Sequence, residues 1–300
     1  MNIMKFKRKL MNVMKFKRKS VLELQIEKLT PPQKNNWNWG KGVGGYAKGF
    51  SSNFIEFTFP YLLRNARELG VSDEELSLLD IGCGWAPLAI PFIIFEKSKE
   101  KNLRRRNRYL GIDIREDAIE WLTRAYANYP DVSFHWHQTS NEADYIGAHH
   151  SQSKTFSASD GQETEFKIPI DFLHNIQWSS SVFTHLTPQA SVQALKSIKA
   201  SCAQNAMQVN TWLIVDEESK YALTAEIADR KLPIDCGDFL TYSEQNPLIC
   251  TAYKIEAIER MYAEAGLEIV RIDRGSWRGP AYKNAANHSQ DIVISRTHTK

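Results

Sequence analysis

The stretch Leu78-Leu79-Asp80-Ile81-Gly82-Cys83-Gly84-Trp85-Ala86-Pro87 decides the fold. A short apolar run ends in Asp-x-Gly-x-Gly and passes into an apolar, helix-compatible segment. Glycines at such a turn adopt positive φ without strain and let the backbone approach a ligand closely. Working outward, Leu76–Cys83 reads as a buried strand, followed by a helix from about Pro87 that Pro91 would kink. Tyr109–Ile114 is a second strand, ending in the acid Asp113. Two parallel strands of this kind bring the glycine turn and the acid to the same, carboxyl, edge of a sheet. Open α/β folds bind their ligands at that edge.

The pattern continues to alternate. Arg115–Tyr129 is amphipathic, with Ala118, Trp121, Leu122 and Ala125 on one face. Val132–His137 is a third strand and Leu173–Val182 a fourth. Thr187 reads as an N-cap with Pro188 at the first helical position, and Val192, Leu195, Ile198 and Cys202 form that helix's apolar face. Val209–Asp216 is a fifth strand. Ile255–Ala265 is a helix stopped by Gly266. Leu267–Ile272 and Asp291–Ser295 close the chain as an edge hairpin. The polar stretch 139–171 reads as an insertion. Strands alternating with helices imply a mostly parallel sheet covered on both faces.

A dinucleotide-binding fingerprint is excluded. Its third glycine would fall on Pro87, and the turn-to-acid spacing from Gly82 to Asp113 is longer than the roughly 20 residues such sites use.

With strand, turn, helix, strand and acid in this order, residues 76–297 resemble class I methyltransferases dependent on S-adenosylmethionine (SAM). That resemblance implies a Rossmann-like fold: a mostly parallel seven-stranded sheet with an antiparallel C-terminal edge hairpin. It implies that Asp80, Gly82, Cys83 and Gly84 contact the methionine part of SAM. Asp113, with Ile114 beside it, would hold the ribose, and Gln138 would stand near the adenine. Trp178 and Ser179 fall where cofactor meets acceptor, and Ser181 and His185 just beyond are the catalytic candidates, His185 as a base. The segment Ile176–Leu186 is similar to a bacterial subgroup acting on glycans or small metabolites, which favours an oxygen acceptor. Ala86 replaces the motif's common third glycine and is small enough to stand there. The Asn/Asp-Pro-Pro-Tyr/Phe motif of methyltransferases acting on bases and glutamines is absent.

The rest of the chain sets the context. The net charge of +3 conceals an asymmetry: residues 1–20 carry eight basic residues and no acid, leaving 30 basic against 35 acidic beyond them. The body therefore lacks the footprint of a nucleic-acid binder. The opening repeat, MNIMKFKRKL then MNVMKFKRKS, places Ile3, Phe6, Leu10 and Val13 at helical spacing. It reads either as a basic helix touching an anionic membrane surface or as a disordered extension or duplicated start. Residues 21–75 form an N-terminal segment. Within it, Trp37–Phe50 is rich in glycine and aromatics and reads as a lid, with Trp37 and Tyr46 on the substrate, or as a surface loop. Trp277 and Arg278, between the last two strands, are candidates for the acceptor wall. His135 and His137 alternate on one strand, with no third ligand at metal-site spacing. Four dispersed cysteines indicate reduced thiols and a cytoplasmic setting. Two other classes remain open: a SAM-binding module without catalysis, and a nucleic-acid methyltransferase recruited by the basic tail.

Overall fold

The computed structural model describes residues 29, 31, 51–72, 75–98, 107–138, 166, 168–169 and 171–297. The basic repeat 1–20, the Trp37–Phe50 segment with Trp37 and Tyr46, and nearly all of the 139–171 insertion lie outside them.

The described chain opens on a helical segment. A π-helical turn, Phe54–Thr58, runs directly into α1 (Phe59–Glu68), which buries Phe59, Tyr61, Leu62 and Leu63. Then follow β1 (Ser77–Ile81), α2 (Ala89–Ser98), β2 (Arg108–Asp113), α3 (Glu116–Ala125), β3 (Val132–Trp136) and β4 (His174–Ser179). After β4 come α4 (Pro188–Ala200), β5 (Cys202–Trp212), β6 (Ile214–Val215), α5 (Glu217–Thr224), β7 (Ile234–Asp235) and β8 (Phe239–Thr241). The chain closes with β9 (Thr251–Lys254), α6 (Ile255–Ala265), β10 (Leu267–Asp273) and β11 (Asp291–Thr297).

Local chemistry explains several boundaries. Glu116 and Asp117 sit in the first turn of α3 and Arg124 in its last, complementing the helix dipole. Thr187 caps α4 by accepting from the Ala190 N–H at 3.1 Å, with Pro188 at its first position. Helix α6 stops at Gly266, whose φ of +69° is left-handed. Pro91 does not kink α2. The helix starts at Ala89, so the missing N–H falls in the first turn, where no intrahelical partner exists anyway.

Seven strands form the main sheet in the order β10-β11-β5-β4-β1-β2-β3. Strands β3, β2, β1, β4 and β5 pair parallel, while β11 runs antiparallel to both β5 and β10. This is the mostly parallel, Rossmann-like sheet with an antiparallel edge pair that the sequence implied. Its two faces carry separate cores. One, with Leu78, Phe92, Tyr109, Ile176 and Trp178, is covered by α1, α2 and α3; the other, with Leu79, Ile112, Leu195, Trp212 and Ile258, by α4 and α6. The chain winds from β1 outward to β3, then returns to β4 on the opposite side of β1. The order reverses between β1 and β4, and the carboxyl ends of these strands are where an open α/β sheet forms its ligand crevice.

Two features differ from expectation. Strand β5 begins at Cys202, not Val209, because its first half is polar (Gln204, Asn205, Gln208) and only the second half reads as an apolar run. A second sheet, β6-β9-β8-β7, follows β5, over a small core of Leu213, Val215, Cys250, Ala252 and Trp277. Its strands are two to four residues long, too short to declare a period of two.

Candidate functional site

The crevice is built from three turns at the carboxyl ends of β1, β2 and β4. The first is the glycine turn. Gly82 and Gly84 take φ of +69° and +53°. A side chain on Gly82 would collide with Val182 of the turn after β4, whereas among the described residues nothing lies within 4 Å of where a Cβ on Gly84 would sit. Gly82 is therefore required by protein packing, and Gly84 leaves open space for a ligand. Ala86 also has positive φ, +50°, and is fully buried. Its methyl fits sterically, but the left-handed backbone costs an alanine about 1–2 kcal/mol that glycine would not lose.

Asp113 ties the second turn to the first. Its Oδ2 accepts from the Gly84 N–H at 2.7 Å and its Oδ1 from the Arg115 N–H at 2.9 Å. Burial raises its pKa, and these two N–H donors oppose that shift. Each carboxylate oxygen keeps a lone pair for a further donor. The Gly82 and Cys83 N–H groups are both spent on the Ile112 carbonyl, at 2.8 and 3.1 Å. Three successive N–H groups of the turn are thus bound to β2. The turn does not present the row of N–H donors that a pyrophosphate requires, but it does present a buried carboxylate to hydroxyl donors.

Asp80 lies on the same sheet face as Asp113 but deeper, accepting from the Tyr109 hydroxyl at 2.5 Å. Burial pushes its carboxyl up to about 7, against the Tyr109 hydrogen bond, which favours the ionised form. The Cys83 thiol is buried beside Gly111 and burial raises its pKa, so this residue offers a ligand only its backbone. Ile114 uses its carbonyl to hold the Trp136 indole at 3.0 Å. Gln138 is exposed just past β3, while His137 beside it is buried and His135 is exposed.

The third turn follows β4. Ser181 sits at φ +59°, with its N–H donating to Thr211 Oγ1 at 2.8 Å. Thr211 in turn donates to Gln290 at 2.6 Å. Ser180 Oγ lies 2.9 Å from His288 Nε2. Because His288 Nδ1 accepts from the Gln290 N–H at 3.1 Å, its proton resides on Nε2 and is donated to Ser180. Burial pushes the His288 pKa down to about 4. His288 also meets Trp178 edge to face at 5.8 Å. His185 ends a 3-10 turn, Phe183–His185, on the side of the second sheet. A carbonyl can only accept, so His185 Nδ1 donates to Leu248 O at 3.0 Å, and in the neutral ring Nε2 is the unprotonated nitrogen.

Three candidate side chains point into the interior. Ser179 is fully buried and its hydroxyl donates to Asn210 at 2.7 Å, within a network continuing to Tyr262 and Trp212 on the face opposite Asp80. Trp277 and Arg278 are both fully buried. Arg278 is clamped by Asp291 at 2.9 Å and Asp216 at 2.5 Å, and the Trp277 indole donates to Asp291 at 2.8 Å. All three side chains serve the interior: strand alternation turns Ser179 inward, and two buried carboxylates draw the Trp277–Arg278 turn under the second sheet. Trp178 is likewise almost wholly buried, leaving only an edge toward His288. Sequence reasoning missed Thr211, on β5, and His288 and Gln290, in the loop that leads into β11.

No family model matches the sequence, and no curated protein matches it. Solved structures are similar in shape. A SAM-dependent methyltransferase from Clostridium acetobutylicum ATCC 824 aligns over 85% of this chain and 96% of its own, at 9% identity and a TM-score of 0.48. A magnesium protoporphyrin IX methyltransferase from Synechocystis PCC 6803 with bound SAH covers 87% and 91%, at 11% identity and a TM-score of 0.47. A protein described as a pericyclic reaction enzyme covers 78% and 46%, at 12% identity and 0.46. Likeness at this level reaches proteins of different chemistry and says nothing about what this chain does.

Proposed function

We propose that the chain is a SAM-dependent methyltransferase acting on a small-molecule or glycan acceptor, with oxygen as the methylated atom. The observation that carries the reading is the hydrogen bond from the Gly84 N–H to Asp113 Oδ2 at 2.7 Å, which locks the glycine turn to the acid beside the β1/β4 switch point.

The residues present fit SAM. Asp113 retains lone pairs for two ribose hydroxyls, Gly84 leaves open space, and the turn's N–H groups are already used, which disfavours a pyrophosphate-bearing dinucleotide. Asp80, the Gly82–Gly84 backbone, Ile114, Gln138 and the edge of Trp178 complete the proposed cofactor shell. The bound cofactor supplies a sulfonium methyl group. The protein's part is to hold the acceptor in line with it at near contact, which accounts for most of the acceleration in such transfers. Ser181, in its strained turn, fixes the crevice wall. His185 Nε2 takes the acceptor's proton. The catalytic domain spans 76–300, with 21–75 as a lid bearing Trp37 and Tyr46 and 1–20 as a basic tail. The setting is cytoplasmic, with the tail in contact with an anionic membrane surface. Among the described residues no helix is long and apolar enough to cross a membrane.

Calorimetry tests the cofactor reading. SAM and its analogue sinefungin should bind and NAD should not. Asp113→Ala should weaken SAM by about 1.5–3 kcal/mol, the scale for hydrogen bonds to a charged acceptor. Unchanged affinity in that variant removes the ribose assignment. Transfer of radiolabelled methyl from SAM to small-molecule and glycan fractions tests the reaction, and His185→Gln should lower turnover without changing SAM affinity.

A further inference from the structure

A groove of about 590 Å³ runs between α1 and the connection from β10 to β11. It is lined by the cations Arg64, Arg271, Arg274 and Lys283 and only two acids, Glu68 and Asp273. Both acids are already engaged: Arg271 reaches Asp273 at 3.0 Å and Glu68 at 3.5 Å, and the Tyr61 hydroxyl donates to Asp273 at 2.7 Å. Arg64 stands 3.8 Å from Glu68, at the limit of an ion pair, and is half exposed. Arg274 is held by Asp216 at 2.8 Å, and among the described residues its buried Nη1 has no hydrogen-bond partner. Lys283 is exposed and has no carboxylate partner among the described residues. The positive lining stands out on a body that, beyond residue 20, has five more acidic than basic residues.

The groove shares a wall with the crevice. Asn284 lines it, and the same side chain holds the His288 N–H and carbonyl and the Gln290 carbonyl, at 2.9, 3.0 and 3.1 Å. His288 is the residue bound to Ser180 at the turn after β4. The Asn284 side chain thus joins the groove wall to the loop that carries His288. Guanidinium groups with spare donors match phosphate oxygens, which they bind in pairs.

We propose that this groove binds a phosphate group carried by the methyl acceptor, so that the acceptor is a phosphorylated metabolite or sugar. The proposal rests on the methyl-transfer reading of the crevice. Arg64 and Lys283 provide the entry charge, and Arg274 supplies the inner contact.

Calorimetry with glucose 1-phosphate, pyrophosphate and sinefungin, each alone and at constant ionic strength, separates the two readings. Sinefungin reports the cofactor site and the phosphates report the groove. Glucose 1-phosphate should bind saturably to the full-length protein. Arg64→Ala and Lys283→Ala should each weaken it about threefold, and the pair about tenfold, with the unliganded melting temperature and sinefungin affinity unchanged. Absence of saturable binding overturns the proposal, as does equal binding by the double variant. Binding of pyrophosphate but not glucose 1-phosphate also overturns it, because the groove would then take a free anion and not an acceptor. Failure of sinefungin alone to bind overturns the cofactor reading and leaves the phosphate site standing.

Discussion

Asp291→Asn is the substitution whose cost the structure specifies most closely. The Asp291 side chain is fully buried at the start of β11. Its Oδ1 accepts from the Gly275 N–H at 2.8 Å and Arg278 Nε at 2.9 Å. Its Oδ2 accepts from the Ile214 N–H at 2.9 Å, the Trp277 indole at 2.8 Å and Arg278 Nη2 at 3.2 Å. Asparagine keeps the volume but has one acceptor oxygen. Its amide nitrogen must face either the two donors at Oδ1 or the three at Oδ2. The better choice still leaves a buried backbone N–H unpaired, at about 1–3 kcal/mol. It also strips a buried guanidinium of one carboxylate, and breaking such a pair costs about 3–5 kcal/mol. These penalties share atoms and do not add fully, so a total near 3–5 kcal/mol is expected. That is a large part of a typical stability of about 5–15 kcal/mol. In guanidinium titrations the midpoint should fall with an unchanged slope. The double variant Arg278→Met with Asp291→Leu removes both charges but leaves the Gly275 and Ile214 N–H groups and the Trp277 indole buried without an acceptor, and should be less stable than Asp291→Asn. A loss under about 1 kcal/mol for Asp291→Asn, or a double variant more stable than the single, would refute the reasoning.

Two further outcomes concern other buried polar groups. Gln177, on β4, is fully buried, and among the described residues neither its amide nitrogen nor its oxygen has a partner. Gln177→Leu should therefore raise the melting temperature, with a gain of about 1–3 kcal/mol expected from removing that desolvation penalty; a fall would show that the amide is satisfied in solution. Burial raises the folded pKa of Asp80 to about 7, above the ordinary carboxylate value of 3.8. Between those values the folded state holds a proton the unfolded state has lost, so this group makes stability fall as pH rises through the window. Asp80→Asn should flatten that part of the stability–pH curve, and an unchanged slope would place the titration elsewhere.

The sheet was legible because its signals are local. The Leu78–Pro87 turn, the Asp113 strand end, the Thr187 cap and the Gly266 stop each act within a few residues, and the order of strands and helices then dictates the winding. What escaped was decided at long range. Trp277 and Arg278 look like surface turn residues until Asp291 and Asp216, distant in sequence, supply the charge that buries them. His288 lies in a segment without periodicity, and only the pairing of β11 with β5 brings it to Ser180. Alternation along β4 sends the Trp178 and Ser179 side chains to opposite faces of the sheet, a local rule that the motif reading did not apply. The second sheet left no pattern because its strands are too brief to show one.

The position of β11 between β5 and β10 constrains the order in which the molecule is assembled. As the chain is synthesised, β10 emerges before the strand it must pair with, and β5 exposes its unpaired edge until Asp291–Thr297 has followed. Until β11 follows, the nascent protein carries an open strand edge, a template for pairing with other chains. Truncation before residue 291 would make that transient state permanent. Such a chain should accumulate as aggregate and not as a smaller soluble fold, although every residue of the candidate cofactor shell would still be present.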